Sequence, residues 1–196
     1  MKDELWLALA VMGGVPTEGN PAAAPGPPAS RRPKAFLERL LAYRLLLLLA
    51  VAVLALDQAS KLWIFNHLEL GTYGPPGAIT VVPGFFYLVH VGNTGAAWSL
   101  FSGRSAVLAV LAGATLVAIG IWRGPLGLRH RTVQVAFGLL CGGIAGNLLD
   151  RIVHGYVTDF LDFHFGTYVY PTFNLADSGI CVGTVLYVIH SLRHPA

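Results

Sequence analysis

Three aspartates stand where a carboxylate is costly. Asp57, Asp150 and Asp177 each lie within or at the end of a long apolar run, and an ionisable residue at such a place marks function by default. Their polar neighbours recur at helical spacing: Lys61 four residues after Asp57, Asn147 three before Asp150 and four before Arg151, and Asn174 three before Asp177. Each set therefore shares one helix face. Two further carboxylates, Asp159 and Asp162, follow the third run, and no Lys or Arg between Arg151 and Arg193 neutralises them. Two carboxylates brought close together cannot both ionise easily and share one proton. The ionised member then deprotonates a water while the protonated one polarises a carbonyl, the chemistry of aspartic peptidases. A blander reading stands beside it. Asp57 with Lys61, and Asp150 with Arg151, also fit as charge pairs that only fix helix packing, and Asp159 and Asp162 also fit as interfacial loop charges. Asp177 has no cation within its own run, which favours a functional role.

Other chemistries have weaker support. Asp159, Asp162 and His164 form only a loose metal-ligand set without helical His spacing, so no metal and no cofactor are expected. A Ser/Lys hydrolase built on Lys61 would need Ser99, Ser102 or Ser178, since the adjacent Ser60 points elsewhere on a helix. Gly138, Gly142 and Gly146 recur every fourth residue, a small-residue stripe for close helix approach rather than a phosphate loop.

The elements that must carry these residues are spans. After Arg31, Arg32, Lys34, Arg39 and Arg44, apolar stretches at about 45–65, 105–122, 132–151 and 173–192 are each long enough to cross a bilayer. The expected fold is an all-α polytopic membrane protein of four transmembrane helices with a small extracytoplasmic β-cradle or hairpin. Basic residues cluster before the first span, between the second and third (Arg123, Arg129, Arg131) and after the fourth (Arg193), whereas residues 66–104 and 152–172 hold only Arg104. Both termini then lie in the cytoplasm. At about 1.5 Å per residue, Asp57, Asp150 and Asp177 sit roughly 20, 27 and 23 Å above the cytoplasmic helix ends, in one outer layer. Ala78 to Val91, rich in Val, Ile, Thr, Phe and Tyr and broken by Pro83-Gly84, reads as the hairpin.

Composition agrees. Of 196 residues 55% are hydrophobic and 12% charged, and the mean hydropathy is +0.62, outside the range of ordinary soluble domains. A formal charge of +3 without a basic stripe gives no reason to expect a nucleic-acid partner. Cys141 and Cys181 sit in apolar runs and read as packing residues rather than a disulfide or redox site. Residues 1–34, ending in a Pro/Ala/Gly tract, read as a disordered extension, with Leu5 to Val15 short of a basic signal-peptide flank. Residues 35–196 read as a single membrane domain, and nothing in it demands more than a monomer. A rival reading is a proton-coupled transporter using the same buried aspartates, but the inner halves of the spans are almost free of polar residues and no repeat is visible.

Five blocks carry a resemblance: Asp57-Gln58-Ala59-Ser60-Lys61, Asn93-Thr94-Gly95-Ala96-Ala97-Trp98, Gly142 through Arg151, Val157-Thr158-Asp159-Phe160, and Phe173-Asn174-Leu175-Ala176-Asp177-Ser178. In this order they resemble bacterial lipoprotein signal peptidase, signal peptidase II, over residues 40 to 192. The resemblance implies a four-span inner-membrane aspartic endopeptidase that acts on diacylglyceryl-modified prolipoproteins and cuts immediately before the lipidated Cys, near the extracytoplasmic face. Membrane lipid would be its surroundings. It also implies a dyad of Asp159 and Asp177, a choice that spacing leaves open between Asp159 and Asp150. Asn93, Asn147, Arg151 and Asn174 would hold substrate or orient the dyad, and Asp57, Lys61 and Asp150 would support the site. Segment 78–100 would cover the substrate, with Trp63, Phe85, Phe86, Tyr87 and Trp98 at the lipid boundary.

Overall fold

A computed structural model describes residue 38 and residues 41–95 and 101–194; the extension 1–34 and Trp98 lie outside the described residues. Within the compact unit Arg39–Ala196, Leu-rich sequence forms α1 (Arg44–His67), followed by β1 (Ile79–Val82) and β2 (Phe86–Asn93). The helices α2 (Ser105–Ile121) and α3 (Arg131–Val153) come next, then β3 (Val157–Phe165), β4 (Tyr168–Val169) and α4 (Leu175–Arg193). Three helices, α1, α3 and α4, are long and apolar enough to cross a membrane. With 17 residues, α2 extends about 25 Å, slightly less than a hydrocarbon core.

α3 is the central helix, packed between α1 and α4. Gly138 and Gly142 abut α1: a Cβ on Gly138 would lie 2.7 Å from the Leu49 Cβ, and one on Gly142 2.7 Å from the Ala50 carbonyl oxygen. Gly146 in the same stripe abuts the Asp57 carboxylate, and Gly143, on another face, meets the Ala176 carbonyl of α4. The expected close-approach stripe is therefore present, and Gly179 and Gly183 of α4 add a second one against the carbonyls of Leu139 and Ala136. At the other end of α3, Leu128, Val133 and Phe137 form a core with Tyr43, Leu46, Ile119 and Tyr187 around it. Apolar side chains elsewhere point outward, including Leu48, Val51 and Leu56 of α1 and Val110 and Val117 of α2. Such a surface is costly in water and natural against lipid tails. Cys141 is partly buried against the core, whereas Cys181 is exposed, so only Cys141 packs as expected.

The hairpin forms where expected, β1 pairing antiparallel with β2 across a turn in which Gly84 takes a left-handed φ of 74°. It is, however, half of a larger element. A four-stranded sheet in the order β1-β2-β3-β4 draws in residues of the 152–172 segment, where no strand was expected. β2 and β3 pair antiparallel although α2 and α3 lie between them in sequence, with Val91 opposite Asp159 and Asn93 opposite Val157. Gly155, at φ 78°, allows the chain to turn out of α3 and into β3, a conformation a side chain would resist. On its far side β3 holds the start of α4, the Phe173 carbonyl accepting from the amides of Phe160 (3.0 Å) and Leu161 (2.8 Å). The boundary aromatics divide: Trp63 and Phe85 are exposed, but Tyr87 is buried, because its hydroxyl accepts from the Gly84 amide at 2.7 Å and holds the turn.

Candidate active site

Most of the polar residues singled out by the sequence gather in two adjoining groups. In the first, the Lys61 ammonium lies 2.8 Å from Asp57 Oδ2, 3.0 Å from Asp150 Oδ2 and 3.1 Å from Asn147 Oδ1. An ammonium has three donors, and all three are used. The pairing of Asp57 with Lys61 is as expected; that of Asp150 with Arg151 is not. Adjacent helical residues do not face each other, so Asp150 turns to α1 while Arg151 donates to the carbonyls of Asn147 (3.3 Å) and Gly95 (3.0 Å). Gln58, which the sequence reading passed over, ties the two carboxylates together by donating to Asp57 Oδ2 (3.1 Å) and Asp150 Oδ1 (2.9 Å). Each carboxylate also accepts a backbone amide, Asp57 from Ala176 at 2.9 Å and Asp150 from Thr158 at 3.0 Å. This group locks α1, α3, β3 and the first turn of α4 together. It also leaves Lys61 no lone pair for the Ser/Lys chemistry considered above.

The second group contains Asp159 and Asp177 and has no cation in direct contact with either carboxylate among the described residues. Asp159 reaches it from β3, and Asp177 from the N-terminal turn of α4. Asn174 joins them. Its Nδ2 donates to Asp159 Oδ1 at 2.7 Å, while its Oδ1 accepts from the Asp177 amide at 2.9 Å and its own amide donates to Asp177 Oδ2 at 3.2 Å. The latter two bonds form a capping box, which satisfies donors that a helix start leaves open. The Asn-x-x-Asp spacing was its sequence signal. Asn93 donates to Asp159 Oδ2 at 2.9 Å; it sits beside Val91, the residue opposite Asp159, and reaches it diagonally across the β2–β3 pair. Asn147 donates to Asp177 Oδ1 at 2.7 Å and accepts from both Lys61 and Asn174 Nδ2, so it is the one side chain that touches both groups.

Burial pushes the Asp159 carboxyl up to about 7, helped by the negative charge of Asp177, while the Asn93 and Asn174 hydrogen bonds and the Lys61 charge pull it back. A carboxyl that retains its proton near neutrality beside a second carboxylate is what shared-proton hydrolysis needs. The loose metal set does not assemble. Asp159 and Asp162 are an odd number of residues apart on one strand and face opposite ways, and Asp162 instead pairs with His164 at 2.7 Å; among the described residues no three His, Cys, Asp or Glu side chains are grouped so that they could hold a metal ion.

Apolar helices around a buried, carboxylate-rich layer, roofed by a sheet, define an integral membrane protein with the makings of an enzyme. The chain belongs to the signal peptidase (SPase) II family, whose model matches residues 49–193. It is 37% identical over 149 residues to the lipoprotein signal peptidase of Vibrio campbellii, covering 74% of this chain and 86% of that protein. To the lipoprotein signal peptidase of Bacillus pumilus it is 36% identical over 145 residues, covering 74% and 90%. Two bacterial membrane enzyme structures obtained by the in meso method, at 2.3 and 1.9 Å resolution, superpose with TM-scores of 0.68 and 0.66. Both are 32% identical in sequence, and the match covers 76% of this chain and 87% or 92% of theirs. The transporter reading finds no support in this family.

Proposed function

We propose that this protein is an aspartic endopeptidase of the bacterial inner membrane that removes signal peptides from prolipoproteins, cutting immediately before the diacylglyceryl-modified Cys. The observation that carries the reading is the contrast just described: Asp159 and Asp177 are held by neutral donors, with no cation in direct contact among the described residues, and are bridged by one asparagine, leaving a proton for the pair to share. One carboxylate takes a proton from water as the water attacks the scissile carbonyl, while the other, protonated, gives its proton to the carbonyl oxygen; the first then passes the proton it took to the leaving amine as the C–N bond breaks, and the second recovers its proton from the diol as the carbonyl re-forms. Asn93, Asn147 and Asn174 orient the pair. Arg151, held by the carbonyls of Asn147 and Gly95, keeps a positive charge at the edge of the pair.

Membrane placement follows from the same reading. α2 joins α1, α3 and α4 as a fourth span, both termini lie in the cytoplasm, and the sheet with the dyad beneath it lies near the extracytoplasmic face, where a lipidated Cys sits. Segment 78–100 covers the substrate, and the monomer suffices. The test is cleavage of a diacylglyceryl-modified prolipoprotein by purified wild type, Asp159→Asn, Asp177→Asn and Asp150→Asn, each checked for folding and substrate binding. Turnover lost in the first two with substrate still bound supports the dyad; a folded, fully active Asp159→Asn overturns it.

A further inference from the structure

A cavity of about 310 Å³ opens at the outer end of α1, lined by Phe65, Asn66, His67, Glu69 and His90, among others. None of these residues belongs to the two polar groups above. His90 is buried, 1% exposed, and its Nδ1 lies 2.9 Å from the Leu68 carbonyl oxygen. A carbonyl only accepts, so Nδ1 carries the hydrogen and Nε2 of the neutral ring is a lone pair. That Nε2 is buried with no partner among the described residues, a situation proteins resolve with a ligand or water.

The surroundings specify the missing partner as a cation that donates hydrogen bonds. Phe65, Asn66 and His67 belong to the last turn of α1, whose carbonyls lack intrahelical donors and carry the negative end of the helix dipole. Glu69 is the sole acidic residue between Asp57 and Asp150 and forms no ion pair among the described residues. The Phe65 ring offers a π face. Phe65 and Leu70 of its lining are 54% and 55% exposed, a rim suited to the lipid interface. We propose that this cavity binds the primary ammonium of a phospholipid headgroup, with Glu69 as counter-ion and His90 Nε2 as hydrogen-bond acceptor. This goes beyond the peptidase reading and is tested without turnover.

The experiment is native mass spectrometry of the purified full chain titrated with phosphatidylethanolamine, phosphatidylcholine and phosphatidylglycerol of identical acyl chains. The choline headgroup keeps the positive charge but has no N–H, and glycerol lacks the charge. One phosphatidylethanolamine should bind about tenfold more tightly than either, and the preference should vanish in Glu69→Gln, at an exposed position that does not threaten folding, and in His90→Phe. Equal binding of all three lipids to wild type, or an undiminished preference in Glu69→Gln, overturns the proposal. So does displacement by a lysine-containing peptide with no phosphatidylethanolamine preference, which would assign the cavity to a protein amine.

Discussion

The two polar groups are built around the same residue type, adjoin one another and share Asn147, yet they have opposite characters. Around Lys61, two aspartates are neutralised by an ammonium, cross-linked by Gln58 and anchored to backbone amides. Around Asn174, two aspartates receive only neutral donors. What separates scaffold from candidate chemistry is thus where a single lysine reaches. A cation beside a carboxylate favours its ionised form, whereas burial without one favours the proton.

The contrast is tested most severely by removing one carboxylate from each group. Asp159→Asn or Asp177→Asn should lower kcat by about 10³-fold or more, as expected for a lost general acid or base, with the thermal unfolding midpoint close to wild type. Breaking the lysine-centred group should do the reverse. Lys61→Met strands two buried carboxylates and should cost about 3–5 kcal/mol of stability, read by thermal unfolding in detergent, and kcat per folded molecule should fall far less than in the Asp159 and Asp177 variants. Asn174→Ala touches both fold and dyad: loss of the helix cap should cost about 1 kcal/mol, with a further loss of kcat in the fraction that remains folded.

The mildest effects are in pH. Asp159 keeps its proton up to about 7 in the folded protein against 3.8 ordinarily. The folded state therefore binds more protons than the unfolded one across that window, and stability is greatest below it and declines as pH rises through it. Asp159→Asn should flatten that decline. In the kcat/KM profile the alkaline limb should fall near pH 7, and Asn93→Ala, by deleting a donor that favours the ionised form, should move the limb upward by about one unit or less.

The apolar runs made the long helices legible, and the unpaired Asp177 was legible as the odd aspartate. Asp159 was not. Its strand is bounded by Gly155 and Gly166 and rich in Val and Phe, but it carries carboxylates on both faces, which hides the period-two pattern. Its partner strand lies across two intervening helices, a non-local pairing that no local signal encodes. The family resemblance singled Asp159 out where spacing left Asp150 equally eligible. Arg151 misled through mere adjacency, and Gln58 escaped notice because an uncharged amide in an apolar run carries no cost large enough to flag it.

The pairing of β2 with β3 and the Asn174 bridge also bear on biosynthesis. Asn93 lies 66 residues before Asp159, and Asp177 arrives only with the first turn of α4. A nascent chain thus holds an incomplete polar cluster until α4 has been synthesised, so on the proposed reading proteolysis cannot precede that helix.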